Sequence, residues 1–185
     1  MLIFRPLGSY DDLIEIAAGQ HGIVQAAAAQ SAGVPASTLT RLVKSGRIQR
    51  VAQGVYRVPV IPEDRLTTYM EAVLWARGKA AISHASALEL LELCDVFPQR
   101  THLTVPPAYR PRRQGREHYE IHRESLEPED VTSFLGVPVV TAYRAILQSA
   151  RAGEDPEQLR LAVRNATSDG LLLRTEASRL RRRLR

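Results

Sequence analysis

The chain has 185 residues and a formal net charge of +5, from 25 Lys and Arg residues against 20 Asp and Glu residues. Its hydrophobic content of 44% is that of a globular protein and excludes general disorder. The single cysteine excludes an internal disulfide, and no apolar run reaches the ~20 residues that a membrane-spanning helix needs. We therefore predict a cytoplasmic protein of one or two folded domains, with no membrane partner.

The positive charge is concentrated in two segments of the chain. Residues 41–57 carry several basic side chains and no Asp or Glu, and residues 174–185 are rich in arginine. An imbalance of this kind indicates a polyanionic partner such as nucleic acid. For the C-terminal segment, a solvated and frayed helix end is an equally good interpretation.

The first thirty residues predict two helices with a short strand between them. Ser9 can cap the first helix, and Asp11 and Asp12 in its first turn favour the positive end of the helix dipole. Residues 23–24 are apolar and suit a short strand. Residues 25–32 are alanine-rich and strongly favour helix.

The next segment predicts a turn, a third helix and a β-hairpin. Gly33 can adopt the positive φ of a tight turn, and a helix is expected from Pro35 to Ser45. Residues 48–51 and 55–58 then form two strands joined by a short loop. This order is that of a winged helix-turn-helix. In such a motif the second of the two helices that flank the turn lies in the DNA major groove. Two prolines suggest that the domain ends at residue 62.

The predicted DNA contacts fall into three groups. Base edges are expected to meet the N-terminal half of the 35–45 helix, through Ser37, Thr38, Thr40 and Arg41. Phosphates are expected to meet the basic residues Lys44, Arg47, Arg50 and Arg57. Gln53, at the tip of the hairpin, is expected to reach the minor groove. The structural alternative is a solvated basic face.

Residues 63–185 predict a second domain in which helices and strands are mixed. Helices are expected over residues 64–77, 84–93, 141–152 and 155–166, and from about residue 175. Strands are expected over residues 80–82, 101–105 and 119–121, and as a hairpin within residues 131–140. The predicted fold is therefore α+β, with an N-terminal winged helix-turn-helix followed by a mixed α/β domain with C-terminal helices.

Two side-chain patterns could suggest metal binding or catalysis. His118 and His122 would lie on one face of a strand but ~13 Å apart, which is too far to share an ion, and no third ligand is evident. Ser83 and His84 resemble a nucleophile and its base, yet Ser83 better suits a helix cap, and the sequence lacks a nucleophile elbow. We predict no catalytic residue, no metal and no cofactor.

A set of short segments in the N-terminal half is similar to one protein family. They are Gly22-Ile23-Val24, Ala32-Gly33-Val34, Ser37-Thr38-Leu39, Arg41-Leu42-Val43, Gly46-Arg47-Ile48, Arg50-Val51 and Gly54-Val55-Tyr56-Arg57. Together they resemble the AbiEi-type antitoxins of type IV toxin–antitoxin systems, and residues 82–88 resemble the opening of that family's second domain. The resemblance implies a sequence-specific autorepressor of its own operon whose residues 63–185 counteract a nucleotidyltransferase-like toxin.

Further partners follow from that resemblance. Double-stranded operator DNA, as an inverted repeat, would be bound by a homodimer, since two half-sites raise avidity. Related N-terminal domains also occur joined to nucleases, so a DNA-targeted nuclease or other hydrolase is the alternative function. Such a nuclease needs an acid-x-Lys strand, whereas Lys44 follows Leu42 and Lys79 follows Arg77 at that spacing. We therefore expect a protein that is not an enzyme. A winged helix that binds another protein is a third possibility.

Overall fold

The computed structural model describes residues 10–111 and 115–184. The chain divides into two compact units, and the main boundary falls between Gly78 and Lys79. Among the described residues, every helix is too short or too polar to cross a lipid bilayer. The Ser9 cap predicted from the sequence lies outside the described residues.

The first unit contains four helices and three strands within its described part. They are α1 (Tyr10–Ala18), β1 (Ile23–Gln25), α2 (Ala26–Ser31), α3 (Ala36–Lys44), β2 (Gln49–Ala52), β3 (Val55–Arg57) and α4 (Thr67–Trp75). This order agrees with the sequence prediction, including a turn at Gly33, whose φ is +84°. The unit extends past residue 62, where the sequence suggested a boundary, because α4 packs against β1 and β3.

The three strands form an antiparallel sheet in the order β1-β3-β2. Tyr56 of the central strand pairs with Val24 on one side and with Arg50 on the other. The β2–β3 register shifts between Arg50 and Ala52, and Gly54 closes the hairpin with a φ of +72°. Glycine suits this left-handed position because it has no Cβ.

The core of the first unit lies between α1, α2, α3 and the sheet. Its buried residues come from every one of these elements or the turns beside them: Leu13, Ala17, Val24, Ala29, Val34, Leu39, Leu42, Ile48 and Val58. The apolar positions of α3 recur at helical spacing, so one face of the helix is buried and the opposite face is left for solvent.

Helix α4 is held in the first unit by buried apolar residues and by polar contacts at its start. Trp75 is fully buried, and the side-chain amide of Gln25 donates to the Leu74 carbonyl at 2.7 Å. Asp64 accepts the Thr67 N–H at 2.9 Å and lies 2.7 Å from the His21 ring. Burial raises the pKa of Asp64, but the hydrogen bonds with His21, the Leu66 N–H and Thr67, together with the charge of His21, outweigh it, and the pKa lies below its usual value.

The second unit contains five strands and four helices within its described part. They are β4 (Ala81–Ile82), α5 (His84–Leu90), β5 (Thr101–Val105), β6 (Tyr119–Arg123), β7 (Val131–Phe134), β8 (Val137–Val140), α6 (Ala142–Arg151), α7 (Pro156–Ser168) and α8 (Arg174–Arg183). Each corresponds to an element predicted from the sequence. Helix α5 ends three residues before its predicted limit, since Glu92 has a positive φ.

The strands form one mixed sheet in the order β6-β5-β4-β8-β7. The pairs β5–β6 and β4–β8 are parallel, whereas β4–β5 and β7–β8 are antiparallel. The helices α6, α7 and α8 pack against one another, and α5 packs against α6 and β5. The chain is therefore α+β, as predicted.

Helices α6 and α7 begin with side-chain caps, and α8 packs on its neighbours. The Thr141 hydroxyl accepts the Arg144 N–H at 3.4 Å, and Asp155 accepts the Glu157 N–H at 2.9 Å. Ala177 and Leu180 bury one face of α8, while its described arginines are exposed. The basic C-terminal segment is thus a packed helix with an arginine-rich outer face.

Candidate nucleic-acid interface

Helix α3 presents a polar face opposite its buried one. Leu39 and Leu42 are 1% and 4% exposed, respectively, and anchor the helix to the core. Ser37, Thr40, Arg41 and Lys44 are exposed, and Thr38 is half-buried. Pro35 occupies the N-cap position rather than the first turn, and the helix ends where the Gly46 N–H donates to the Val43 carbonyl.

Two cations on this face have no counter-ion among the residues that the structure describes. Across residues 10–111 and 115–184, no carboxylate pairs with Arg41 or Lys44, so both groups can meet an external anion. The Thr40 hydroxyl donates to the Ala36 carbonyl at 3.0 Å, a bond within the helix that leaves its oxygen free to accept. The α3 face therefore offers long basic side chains beside short hydroxyl-bearing ones.

The hairpin continues the basic surface of the first unit. Arg50 on β2 is exposed, and so is Gln53 at the tip, next to Gly54. No described acidic residue pairs with Arg50. Arg47, in the segment between α3 and β2, places its guanidinium 5.2 Å from the centre of the Tyr10 ring. The Tyr10 hydroxyl donates to the Arg47 carbonyl at 3.3 Å, so this segment is tied to α1.

Arg57 differs from the other basic residues of this segment. Its side chain is only 14% exposed, and its Nε lies 2.8 Å from a carboxylate oxygen of Glu63. A second guanidinium nitrogen donates to the Ile61 carbonyl at 3.4 Å. The sequence predicted a phosphate contact here, but the charge of Arg57 is already neutralised within the protein. Arg57 instead fixes the chain that leaves β3.

The histidines of the second unit are arranged differently from the sequence-based interpretation. His118 is exposed on a short 3-10 helix (Arg116–His118) and takes no part in a cluster. His122 on β6 instead meets His84 at the start of α5 and His102 on β5, with ligand atoms all within 4.8 Å. No sequence pattern predicted this trio, since the three residues come from separate elements that the pairing of β5 with β6 and the packing of α5 on β5 bring together.

Ser83 also departs from its predicted role. It occupies the N-cap position of α5, but its hydroxyl makes no capping hydrogen bond. The hydroxyl instead lies 3.0 Å from Nδ1 of His84. Cys94, beyond α5, is half-buried, and burial, followed by the charges of Glu154 and Asp95, raises the pKa of its thiol to about 12. Such a thiol is a poor nucleophile near neutral pH.

Comparison with known proteins finds a family match for the N-terminal segment. Residues 11–59 match the family described as "Transcriptional regulator, AbiEi antitoxin". The resemblance inferred from the sequence is therefore confirmed over this part of the chain. A crystal structure of the RV2827C protein from Mycobacterium tuberculosis aligns with 91% of this chain and 78% of its own, at 16% identity and a TM-score of 0.48. No curated protein matches the sequence significantly.

Proposed function

We propose that this protein is a DNA-binding transcriptional regulator of the AbiEi antitoxin type, and that its first unit acts as a winged helix-turn-helix. The observation that carries the proposal is the set of exposed cations on α3, on the β2–β3 hairpin and on the segment between them: Arg41, Lys44, Arg47 and Arg50. They lie within the residues that match the family, and no acid occurs between residues 41 and 57 to balance them.

Each candidate side chain has a role in this proposal. Helix α3 enters the major groove, where Arg41 donates two hydrogen bonds to one guanine. Ser37, Thr38 and Thr40 meet neighbouring base edges. Lys44, Arg47 and Arg50 bind phosphates, and Gln53 reaches the minor groove from the hairpin tip. These eight residues form the proposed interface. Arg57 is not among them, because it pairs with Glu63.

The family resemblance supports a finer proposal about regulation. The protein represses its own operon by binding an inverted repeat as a homodimer in the cytoplasm. The second unit, beyond residue 78, neutralises a cognate nucleotidyltransferase-like toxin.

DNA binding is tested by titrating the purified protein with the duplex that precedes its gene, and with scrambled duplex of equal length. Arg41→Ala should reduce the preference for one base pair by about 1–3 kcal/mol, because a bidentate contact is lost. Arg50→Ala should weaken both duplexes alike. Arg160→Ala removes an exposed charge from α7 and serves as the control. Equal affinity of the wild-type protein for both duplexes would overturn sequence-specific repression.

The toxin partnership is tested separately. The product of the adjacent reading frame should arrest growth when expressed alone, and co-expression of this protein should restore growth. Arg41→Ala should restore growth as well as the wild-type protein does, since the proposed DNA contact is not needed for neutralisation. Failure of the wild-type protein to restore growth would refute an antitoxin role while leaving the DNA-binding proposal standing.

A further inference from the structure

Three histidines of the second unit form a compact cluster. The Nδ1 atom of His102 lies 3.1 Å from the Nε2 atom of His122. The ring of His84 stacks on that of His122 with centres 3.5 Å apart. His84 is 7% exposed, and the other two are half-buried. Side chains that only fill a core are usually apolar, so three imidazoles in contact at this depth require another explanation.

The backbone around the cluster is held in place by specific hydrogen bonds. The Ser86 hydroxyl accepts the His102 N–H at 2.9 Å, and the Ser83 N–H donates to the His102 carbonyl at 3.0 Å. His84 has a φ of +52°, a left-handed conformation that is unfavourable for a non-glycine residue. Strain of this kind persists where the surrounding structure fixes it, and it is concentrated at ligand and catalytic sites.

The rings of this cluster can offer lone pairs to a ligand. A neutral imidazole has one N–H and one lone pair. Between His102 and His122, one nitrogen therefore carries a proton that hydrogen-bonds to the other.

We propose that His84, His102 and His122 bind a single Zn²⁺ ion. In a tetrahedral zinc site with Zn–N bonds of about 2.0–2.1 Å, the ligand nitrogens lie about 3.3 Å apart. The 3.1 Å separation in the His102–His122 pair already matches that distance. The ion takes the place of the shared proton, which moves to the other nitrogen of its own ring. Three neutral imidazoles suit zinc, whereas magnesium and calcium prefer oxygen ligands.

The His84 ring must turn out of its stack with His122 to direct a lone pair at the same ion. It has space to do so, because it lines a cleft of about 540 Å³. The contact between Nδ1 of His84 and the Ser83 hydroxyl leaves the other ring nitrogen for the metal. Metal-binding histidines commonly make a second-side hydrogen bond of this kind, which fixes the tautomer.

The cleft also provides the remaining coordination position. His102 lines it together with Ser149, whose side chain is almost fully buried and whose Oγ has no hydrogen-bond partner among the described residues. Asp95, Glu154 and Asp155 add carboxylates to the lining, which favours the entry of a cation. Three histidines with a fourth position open to a cleft are the ligand set of zinc sites that keep an exchangeable water. The Ser149 hydroxyl could hydrogen-bond to that water.

The experiment is a zinc titration of the full-length protein, followed by metal analysis after gel filtration. We expect one equivalent of Zn²⁺ per chain, and a visible cobalt spectrum typical of four-coordinate geometry when Co²⁺ replaces it. His102→Ala and His122→Ala should each weaken zinc binding at least about tenfold. His118→Ala is the matched control, since His118 is exposed, adjoins β6 and should bind as the wild type does. Mg²⁺ should not compete.

Two results would overturn the proposal. One is that the wild-type protein retains no zinc after gel filtration. The other is that His118→Ala weakens zinc binding as much as His122→Ala does. Where a variant fails to fold, the imidazole NMR signals of the wild-type protein test zinc binding directly. Zinc must shift the signals of the three clustered histidines and leave the signal of His118 unchanged. DNA affinity of the same samples separates this proposal from the proposed function, since the cluster lies entirely in the second unit.

Discussion

The two units of this chain use their polar side chains in opposite ways. In the first unit the notable groups are permanent cations on the surface, and Arg41, Lys44 and Arg50 have no described counter-ion. In the second unit, apart from the exposed arginines of α8, the notable groups are the histidine cluster and the ion pairs of Glu124, which are buried or half-buried. Surface charge costs little folding free energy and suits a polyanionic partner, whereas buried polar groups must be satisfied by each other or by a ligand. The first arrangement indicates binding of a large partner, and the second indicates a small bound group.

The largest expected effect comes from removing a buried leucine from one unit at a time. Leu39 and Leu159 are 1% and 2% exposed on helices of different units. Replacing either leucine with alanine should lower the free energy of unfolding by about 2–5 kcal/mol, because a cavity is left. Leu39→Ala should reduce DNA binding and leave zinc binding intact, and Leu159→Ala should do the reverse. The measurements are chemical denaturation and the two titrations. Joint loss of both activities in each variant would show that the units do not act separately.

A smaller effect is expected from the polar network of the second unit. Glu124 accepts hydrogen bonds from Gln148 at 2.7 Å and from Arg144 at 3.2 Å. Glu124→Ala should cost about 2 kcal/mol in urea denaturation, because it removes a charged acceptor from the buried Gln148 amide and from the half-buried Arg144 guanidinium. The control is Glu120→Ala, which removes an exposed pair with Arg100 and should cost less than about 1 kcal/mol. Similar costs for the two variants would contradict this difference in burial.

The helix caps provide a third comparison. Thr141 caps α6 with its side chain, whereas α2 and α3 begin without a side-chain cap. Thr141→Ala should lower the free energy of unfolding by about 1 kcal/mol. Thr141→Ser should retain most of the wild-type stability, because serine caps equally well. Thermal unfolding followed by circular dichroism measures both. A serine variant as unstable as the alanine variant would point to lost methyl packing instead.

The smallest effect on stability is expected at the surface of the first unit. Arg50→Ala should change the free energy of unfolding by less than about 0.5 kcal/mol, because Arg50 is exposed and no described carboxylate pairs with it. The same change should reduce the slope of log affinity against log salt by about 1, since one phosphate contact is lost. An unchanged slope would remove Arg50 from the proposed interface.

The sequence predicted local features of this molecule well and long-range ones poorly. Helix α3 was expected over residues 35–45 and spans Ala36–Lys44, because its apolar spacing, its proline and its glycine are all local signals. The individual strands of the second unit were also predicted. The parallel pairing of β5 with β6 was not, because nothing local specifies which strands meet.

The histidine cluster shows the consequence of that limit. His84, His102 and His122 come from three elements, and only the order β6-β5-β4 with α5 beside β5 brings them together. Sequence spacing drew attention to His118 and His122 instead, and His118 is exposed. In the same way, Arg57 belongs to the basic run in the sequence, but its ion pair with Glu63 depends on how the chain leaves β3.

The hydrogen bond from Gln25 to the Leu74 carbonyl links β1 to α4 and bears on where a recombinant fragment of this protein should end. A recombinant fragment that stops at Pro62 would lack α4 and would expose the surface of β1 and β3 that this helix covers. We expect such a fragment to aggregate, and a protease to spare the 63–78 stretch in the native protein. A fragment that ends at Gly78 keeps α4 on β1 and β3 and is the N-terminal piece suited to isolated study.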